Sequence, residues 1–291
     1  MTRRLSIVIP SRNEQFLQQT ITSLFSSAKG DVEVIAVLDQ YHPVPMLQYH
    51  PRLTVLYSGE RIGMRGAINA GVAISNGEFI MKIDGHVLFE EGFDLKILET
   101  FEDNWIVVPR RFRLDGDTWS IQQDGKPPID YHYLSHPDDP KNWGGRRMHG
   151  KNWEERTVER LNDPRYTIDE TMVFQGSCWV MKRSYFEYLE LMDWEHYGTF
   201  TSESEEICFK SWTTGGKSMV NKNVWYAHLH KGKKYGRGYA MLKQPEERGN
   251  EFLNQWLNRK MWHKQIHPLT YLIERFYPVP SWPKERRLWK Y

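Results

Sequence analysis

Through the first hundred residues, short apolar runs alternate with amphipathic stretches, the pattern of repeated strand–helix–strand units. Leu5 to Pro10 reads as a strand. Ser11-Arg12-Asn13-Glu14 then opens a helix whose apolar positions Phe16, Leu17, Ile21, Leu24 and Phe25 form one stripe, and Lys29-Gly30-Asp31 ends it. Val32 to Leu38 is almost continuously apolar and closes on Asp39, as a strand covered on both faces should. The sheet is therefore expected to be mainly parallel. A third strand, Leu53 to Tyr57, leads through Gly59 and Gly63 into a helix from about Arg65 to Ser75, whose Gly66, Ala67, Ala70, Gly71 and Ala73 allow close packing. Asn76-Gly77 turns the chain into a strand ending at Asp84. A helix at about Gly92 to Phe101 and a strand from Trp105 to Pro109 follow.

Periodicity fades from about Leu114 to Asp169, where turn dipeptides punctuate a stretch dense in aromatic, His and charged residues. So long an insertion in a compact domain is more often a functional loop than a connector, and acceptor contacts are expected there. Regularity returns with Met172 to Arg183, helices near Tyr185 to Leu191 and Ser204 to Thr213, and a strand at Val224 to Leu229.

At 291 residues the chain can bury a large core as one compact unit. Its 39 basic and 37 acidic side chains nearly cancel, so charge alone points to no polyelectrolyte partner. With no apolar signal core after Met1-Thr2-Arg3-Arg4 and no membrane-length apolar run, a soluble, cytoplasmic protein is expected. Cys178 and Cys208 are too few for a disulfide framework and read as buried free thiols. Tryptophan is abundant, with 12 residues, some in loop-like sequence such as Asn142-Trp143-Gly144-Gly145 and Lys151-Asn152-Trp153. Indoles there can stack on sugars and bases or fill the core.

The most informative run is Ile80-Met81-Lys82-Ile83-Asp84-Gly85-His86. A strand repeats every two residues, so Asp84 and His86 project from one face at its carboxyl end, where open α/β sheets place ligands. One carboxylate and one imidazole suit a divalent cation such as Mn²⁺ (or Mg²⁺). The plainer alternative is a pair of loop residues bonding locally. Further on, Lys231-Gly232-Lys233-Lys234-Tyr235-Gly236-Arg237 combines cations and glycines as a phosphate-capturing loop would, or as a basic surface loop would.

Taken in order, these segments resemble GT-A fold glycosyltransferases of the broad family 2 type, with particular similarity to the polypeptide N-acetylgalactosaminyltransferase family. Ile7-Val8-Ile9-Pro10-Ser11-Arg12-Asn13-Glu14 resembles the family's VIPxxNE opening. Arg61 to Asp84 aligns without a gap with the Arg-x-Gly to Asp-x-His stretch, and Phe200 to His228 resembles WGGENxExxFRxWxCGG…VGH. The resemblance spans about residues 4 to 235. It implies a Rossmann-like α/β nucleotide-diphospho-sugar transferase fold, with residues 1–112 as the nucleotide-sugar half, 113–235 as the acceptor half and 236–291 as an extension. It also implies Asp84, His86 and His228 as metal ligands and a UDP-sugar as donor. Pro10, Arg12, Glu14 and Arg61 with Gly63 would lie on the nucleotide side, and Asp39 would meet the uracil ring. Gly85, Phe200, His230 and Lys231 complete the implied donor site, with Gly176 allowing close backbone approach to the sugar.

Departures bear on mechanism. Inverting family 2 enzymes carry Glu-Asp where this chain has Glu203-Ser204, so their general base is missing. The retaining N-acetylgalactosaminyl family has Glu-Asn there, which leaves the anomeric outcome open. Glu203, Glu205 and Glu206 stay as acid/base or acceptor-orienting candidates, with 203 and 206 expected on one helix face. Phe200 replaces the family's Trp. The family's lectin domain and membrane anchor find no counterpart, so a Golgi-type protein acceptor is not expected.

The leading expectation is a metal-dependent glycosyltransferase acting on a hydroxyl acceptor, such as a hydroxymethylated base in DNA, as in phage-type DNA modification. The alternatives are a cytosolic enzyme of polysaccharide or lipid biosynthesis and a non-catalytic sugar- or nucleic-acid-binding module. A nucleotidyltransferase would want a Gly-rich phosphate loop after the first strand, and Pro10-Ser11-Arg12-Asn13 is not one. The basic and aromatic C-terminal run, Trp282 to Tyr291, either meets nucleic acid or anionic lipid or packs back on the domain.

Overall fold

The computed structural model describes residues 4–142, 145–240 and 243–290; Trp143 and Tyr291 lie outside them. The nucleotide-side strands form as expected: β1 (Leu5–Ser11), β2 (Val32–Asp39), β3 (Leu53–Ser58) and β4 (Phe79–Ile83) pair in parallel in the spatial order β3-β2-β1-β4. All eight residues of β2 are buried, while β3 is the half-exposed edge. Helix α1 (Leu17–Ser27) covers one face with Leu17, Thr20, Ile21 and Leu24. Phe16 stands just before it and packs instead on Trp119 and Tyr235. Helix α2 (Gly63–Ile74) covers the other face so closely that a Cβ on Gly71 would lie 2.5 Å from a Val8 methyl.

Beyond β4 the sheet departs from simple alternation. A short strand, β5 (Val87–Phe89), follows the Asp84–His86 turn, and α3 (Phe93–Leu98) leads to β6 (Trp105–Asp115), which runs well past Pro109. The insertion is more structured than its sequence suggests. It holds β7 (Ser120–Ile121), the hairpin partners β8 (His132–Leu134) and β9 (Gly150–Asn152), α4 (Glu154–Glu159) and β10 (Ile168–Glu170). Next come β11 (Cys178–Lys182), α5 (Arg183–Tyr188), α6 (Trp194–Tyr197), α7 (Glu203–Thr213) and β12 (Lys217–His228). Strand β11 inserts antiparallel between β4 and β6, and β12 lies parallel to β6, so both halves share one mainly parallel sheet.

After α8 (Gly232–Tyr235), α9 (Lys243–Gln255) and α10 (Leu269–Phe276) pack back on the domain, α9 against α6 and α10 against α7. Trp256, Trp262, Trp282 and Trp289 are buried there, and the Trp282 indole donates to Leu134 O at 2.6 Å. These aromatic residues of the extension are core, not a ligand surface. Cys178 and Cys208 are free and buried. Among the described residues, no helix is long and apolar enough to cross a membrane.

Candidate active site

A cleft of about 740 Å³ opens along the carboxyl ends of β1, β2 and β4 and reaches across to β6 and the β8–β9 hairpin. Asp84, His86 and His228 meet in it. Strand β5 brings them together: it pairs antiparallel with β12 and sets Val87 opposite His228, one residue from His86. The ligand atoms of the three side chains lie within 4.8 Å of one another. Asp84 Oδ2 is 3.2 Å from His228 Nε2 and 3.9 Å from His86 Nε2. The far nitrogen of His86, Nδ1, is 3.0 Å from Glu14 Oε2, the arrangement by which a carboxylate orients a metal-binding imidazole. Burial, supported by the neighbouring His86 and Arg111, pushes His228 down to about 3 and outweighs its bond to Asp84, so the ring is neutral. Burial acts the other way on Asp84, but Lys82 and the two histidines hold it well below the usual carboxylate range. One ionised carboxylate and two imidazole nitrogens form a donor set that fits Mn²⁺.

Lys82 is a component of the site that the family resemblance does not imply. It is two residues before Asp84 on β4, 1 % exposed, and donates to Asp84 Oδ1 (2.8 Å), Glu203 Oε2 (3.1 Å) and Gly176 O (2.6 Å). Burial opposes its charge, yet Asp84 and Glu203 outweigh that and keep it protonated. Its signal in the sequence is a lysine amid four apolar residues of a strand. Glu203 is buried, with Oε1 accepting from the Trp179 indole at 2.7 Å; burial raises its carboxyl despite Lys82. Two carboxylates thus share one ammonium while their proton affinities are pushed apart.

Asp39, Gly63, Gly85 and Gly176 line the cleft, while Glu205 and Glu206 exchange their anticipated places. A Cβ on Gly176 would run into Glu203 Oε2, so the space this glycine frees is filled by a side chain of the protein itself. Glu206 is not in the cleft. It is fully buried in ion pairs with Arg65 and Lys210, because the roughly 60° that separates it from Glu203 around α7 turns it toward α2. Glu205, not expected on the face shared by 203 and 206, lines the cleft and accepts from Gly150 N at 3.0 Å. Asp39 accepts from the amides of Ile62 (2.9 Å) and Gly63 (3.2 Å), capping α2, and lies 3.4 Å from Arg12. Gly63 has φ +69°, and a Cβ there would meet Thr199. Gly85 leaves room for Glu14 on its way to His86.

The remaining donor-side residues line the same cleft: Pro10, Arg12, Arg61, Phe200, His230 and Lys231. Residues 231–240 lie across its mouth, held by Lys231 on Glu14, Asn13 on Gly238 O, Arg61 on Ala240 O and Arg237 over the Phe200 ring. Opposite them are Arg111, His132, Arg147 and His149, which the sequence reading does not single out. Their signal is weak, although Arg111-Phe112-Arg113-Leu114 does alternate as a strand should. No Trp lines the cleft among the described residues.

The sheet order, the cleft at the strand ends and the Asp-x-His turn define a GT-A nucleotide-diphospho-sugar transferase fold. The solved structure of GalNAc-T7 with UDP, GalNAc and Mn²⁺ superposes with a TM-score of 0.71 at 16% identity, covering 89% of this chain and 49% of that one. The mannosyltransferase PcManGT from Pyrobaculum calidifontis, in complex with GDP-Man and Mn²⁺, gives 0.51 at 15% identity over 80% of this chain and 59% of that one. Residues 6–190 match the family described as glycosyl transferase family 2, and the chain belongs to it. A Drosophila melanogaster protein provisionally named polypeptide N-acetylgalactosaminyltransferase 13 is 27% identical over 240 residues, 74% of this chain and 40% of that protein. The chain thus spans less than half the length of that relative.

Proposed function

We propose that the protein is a metal-dependent glycosyltransferase that moves a sugar from a nucleotide donor, a UDP-sugar, to a hydroxyl acceptor. The observation that carries this reading is the convergence of Asp84, His86 and His228 at the floor of the cleft. These residues would hold Mn²⁺, which when bound neutralises the departing nucleoside diphosphate. Residues 1–112 are read as the nucleotide half and 113–235 as the acceptor half. The relatives' own ligands, UDP with Mn²⁺ and GDP-Man with Mn²⁺, support the donor class.

The chain's own residues supply positioning. Arg12 and Arg61 border the nucleotide end, while Lys231 and His230 cover the phosphate end and exclude water. Lys82 fixes one oxygen of Asp84 and leaves the other facing the imidazoles. Glu203, the carboxyl that more readily takes a proton, stands next to Gly176 on the sugar side. The finer reading of the acceptor is a hydroxymethylated DNA base, motivated by the basic and aromatic insertion.

The test is thermal stabilisation by UDP with and without Mn²⁺. Mn²⁺ should enlarge the UDP-dependent rise in melting temperature, and His228→Ala should abolish the enlargement. An unchanged enlargement removes His228 from the ligand set. Mn²⁺-dependent hydrolysis of the donor by the purified protein would exclude the non-catalytic module.

A further inference from the structure

The cleft reaches past the metal ligands to β6 and the β8–β9 hairpin, and that end has an unusual charge balance. Most cleft carboxylates are neutralised internally: Glu14 by Lys231, Asp39 by Arg12, Asp84 and Glu203 by Lys82. Arg111 has the opposite problem. It is partly buried on β6, its guanidinium bonds the neutral Gln175 amide oxygen, and its Nε is shielded from water with no hydrogen-bond partner. Among the described residues no carboxylate forms an ion pair with it. A guanidinium held this way against a cavity favours an anion as its partner.

Its neighbours reinforce that character. Burial, the Arg111 charge and His149 push His132 down to about 3, so this ring adds no competing charge. Arg147 Nη2 is 3.2 Å from His149 Nδ1. Arginine can only donate, so Nδ1 accepts and the His149 proton resides on Nε2. Glu205, the carboxylate lining this end, accepts from the Gly150 amide and the Ser204 hydroxyl and lies 3.7 Å from His149 Nδ1, so it is the one negative charge the two arginines must outweigh. The cluster lies away from the nucleotide end but borders the metal ligands: Arg12 and Asp39 sit at the ends of β1 and β2, whereas Arg111 is on β6, two strands beyond β4, opposite Tyr226 and two positions from the Arg113–His228 pair.

We propose that this end of the cleft receives a phosphate group carried by the acceptor, bound by Arg111 with support from Arg147 and His149. This deepens the transferase reading and rests on it. The phosphate would belong to a terminal monoester or to a phosphodiester chain, and both share the oxyanion chemistry the guanidinium recognises.

The test is calorimetric titration of the protein, saturated with UDP and Mn²⁺, with methyl phosphate, dimethyl phosphate and acetate. At least one of the phosphate esters should bind ten-fold or more tightly than acetate without displacing UDP, and which one does separates the two sources. Arg111→Gln should weaken that binding at least ten-fold while keeping a cooperative melting transition, which reports that the variant is folded. Arg111→Lys should fall between. Esters no tighter than acetate, esters displaced by UDP, or full ester affinity in Arg111→Gln would each overturn the proposal. Absence of any UDP binding in the wild type would instead bring down the transferase reading, and the acceptor site with it.

Discussion

At the scale of single residues, buried charge decides what the candidate site can do. Lys82 stands between two carboxylates with almost no access to water, so Lys82→Met should strand both and cost about 3–5 kcal/mol in urea denaturation. A cost below about 1 kcal/mol would mean that Asp84 and Glu203 find other partners. Glu206→Gln should also destabilise, by about 3 kcal/mol, because Arg65 and Lys210 lose their counter-charge. Unlike a cleft substitution, it should leave the Mn²⁺-dependent UDP shift intact. Sequence made Asp84, His86 and His228 legible because a resemblance preserves their spacing. It did not separate Glu203 from Glu206, since both occupy the first turn of one helix and only the neighbours of α7 decide which faces the cleft.

At the scale of elements, antiparallel strands carry what the strand–helix alternation could not. Strand β5 is three residues long, too short for any periodic signal, yet it sets the distance between His86 and His228. The β1–β4 half was readable because each strand is a predominantly apolar run bounded by turns. The insertion was not, because its strands are of two or three residues and acquire order from their partners. Glu170 on β10 illustrates such a tie, pairing with Arg275 of α10 and Lys217 of β12. Burial tends to raise its carboxyl, but the Arg275 and Lys217 contacts prevail and hold it below its ordinary 4.5. The unfolded chain therefore takes up this proton at higher pH than the folded one. The stabilisation is complete above about pH 4.5 and is lost as pH falls through the folded value. Glu170→Gln should lower the melting temperature at neutral pH and narrow its gap from wild type on acidification. A gap that stayed constant would show that the tie contributes nothing through charge.

At the scale of the whole molecule, the C-terminal helices are part of the fold that presents the cleft. Glu246 of α9 accepts from the amides of Thr199, Phe200 and Thr201, fixing the loop that enters α7 and hence Glu203. Removing residues 243–291 should expose the core around Trp212 and Phe209 and leave a chain without a cooperative melting transition, read by differential scanning calorimetry. A sharp transition near the wild-type temperature would make the extension dispensable. Lys82 gives the assembled molecule one more property. An ammonium is permanently seated beneath Asp84, so the acidic floor of the cleft has a resident counter-ion of its own. Were a cation held by Asp84 to leave, Asp84 and Glu203 would still not face each other as two bare carboxylates at the strand ends.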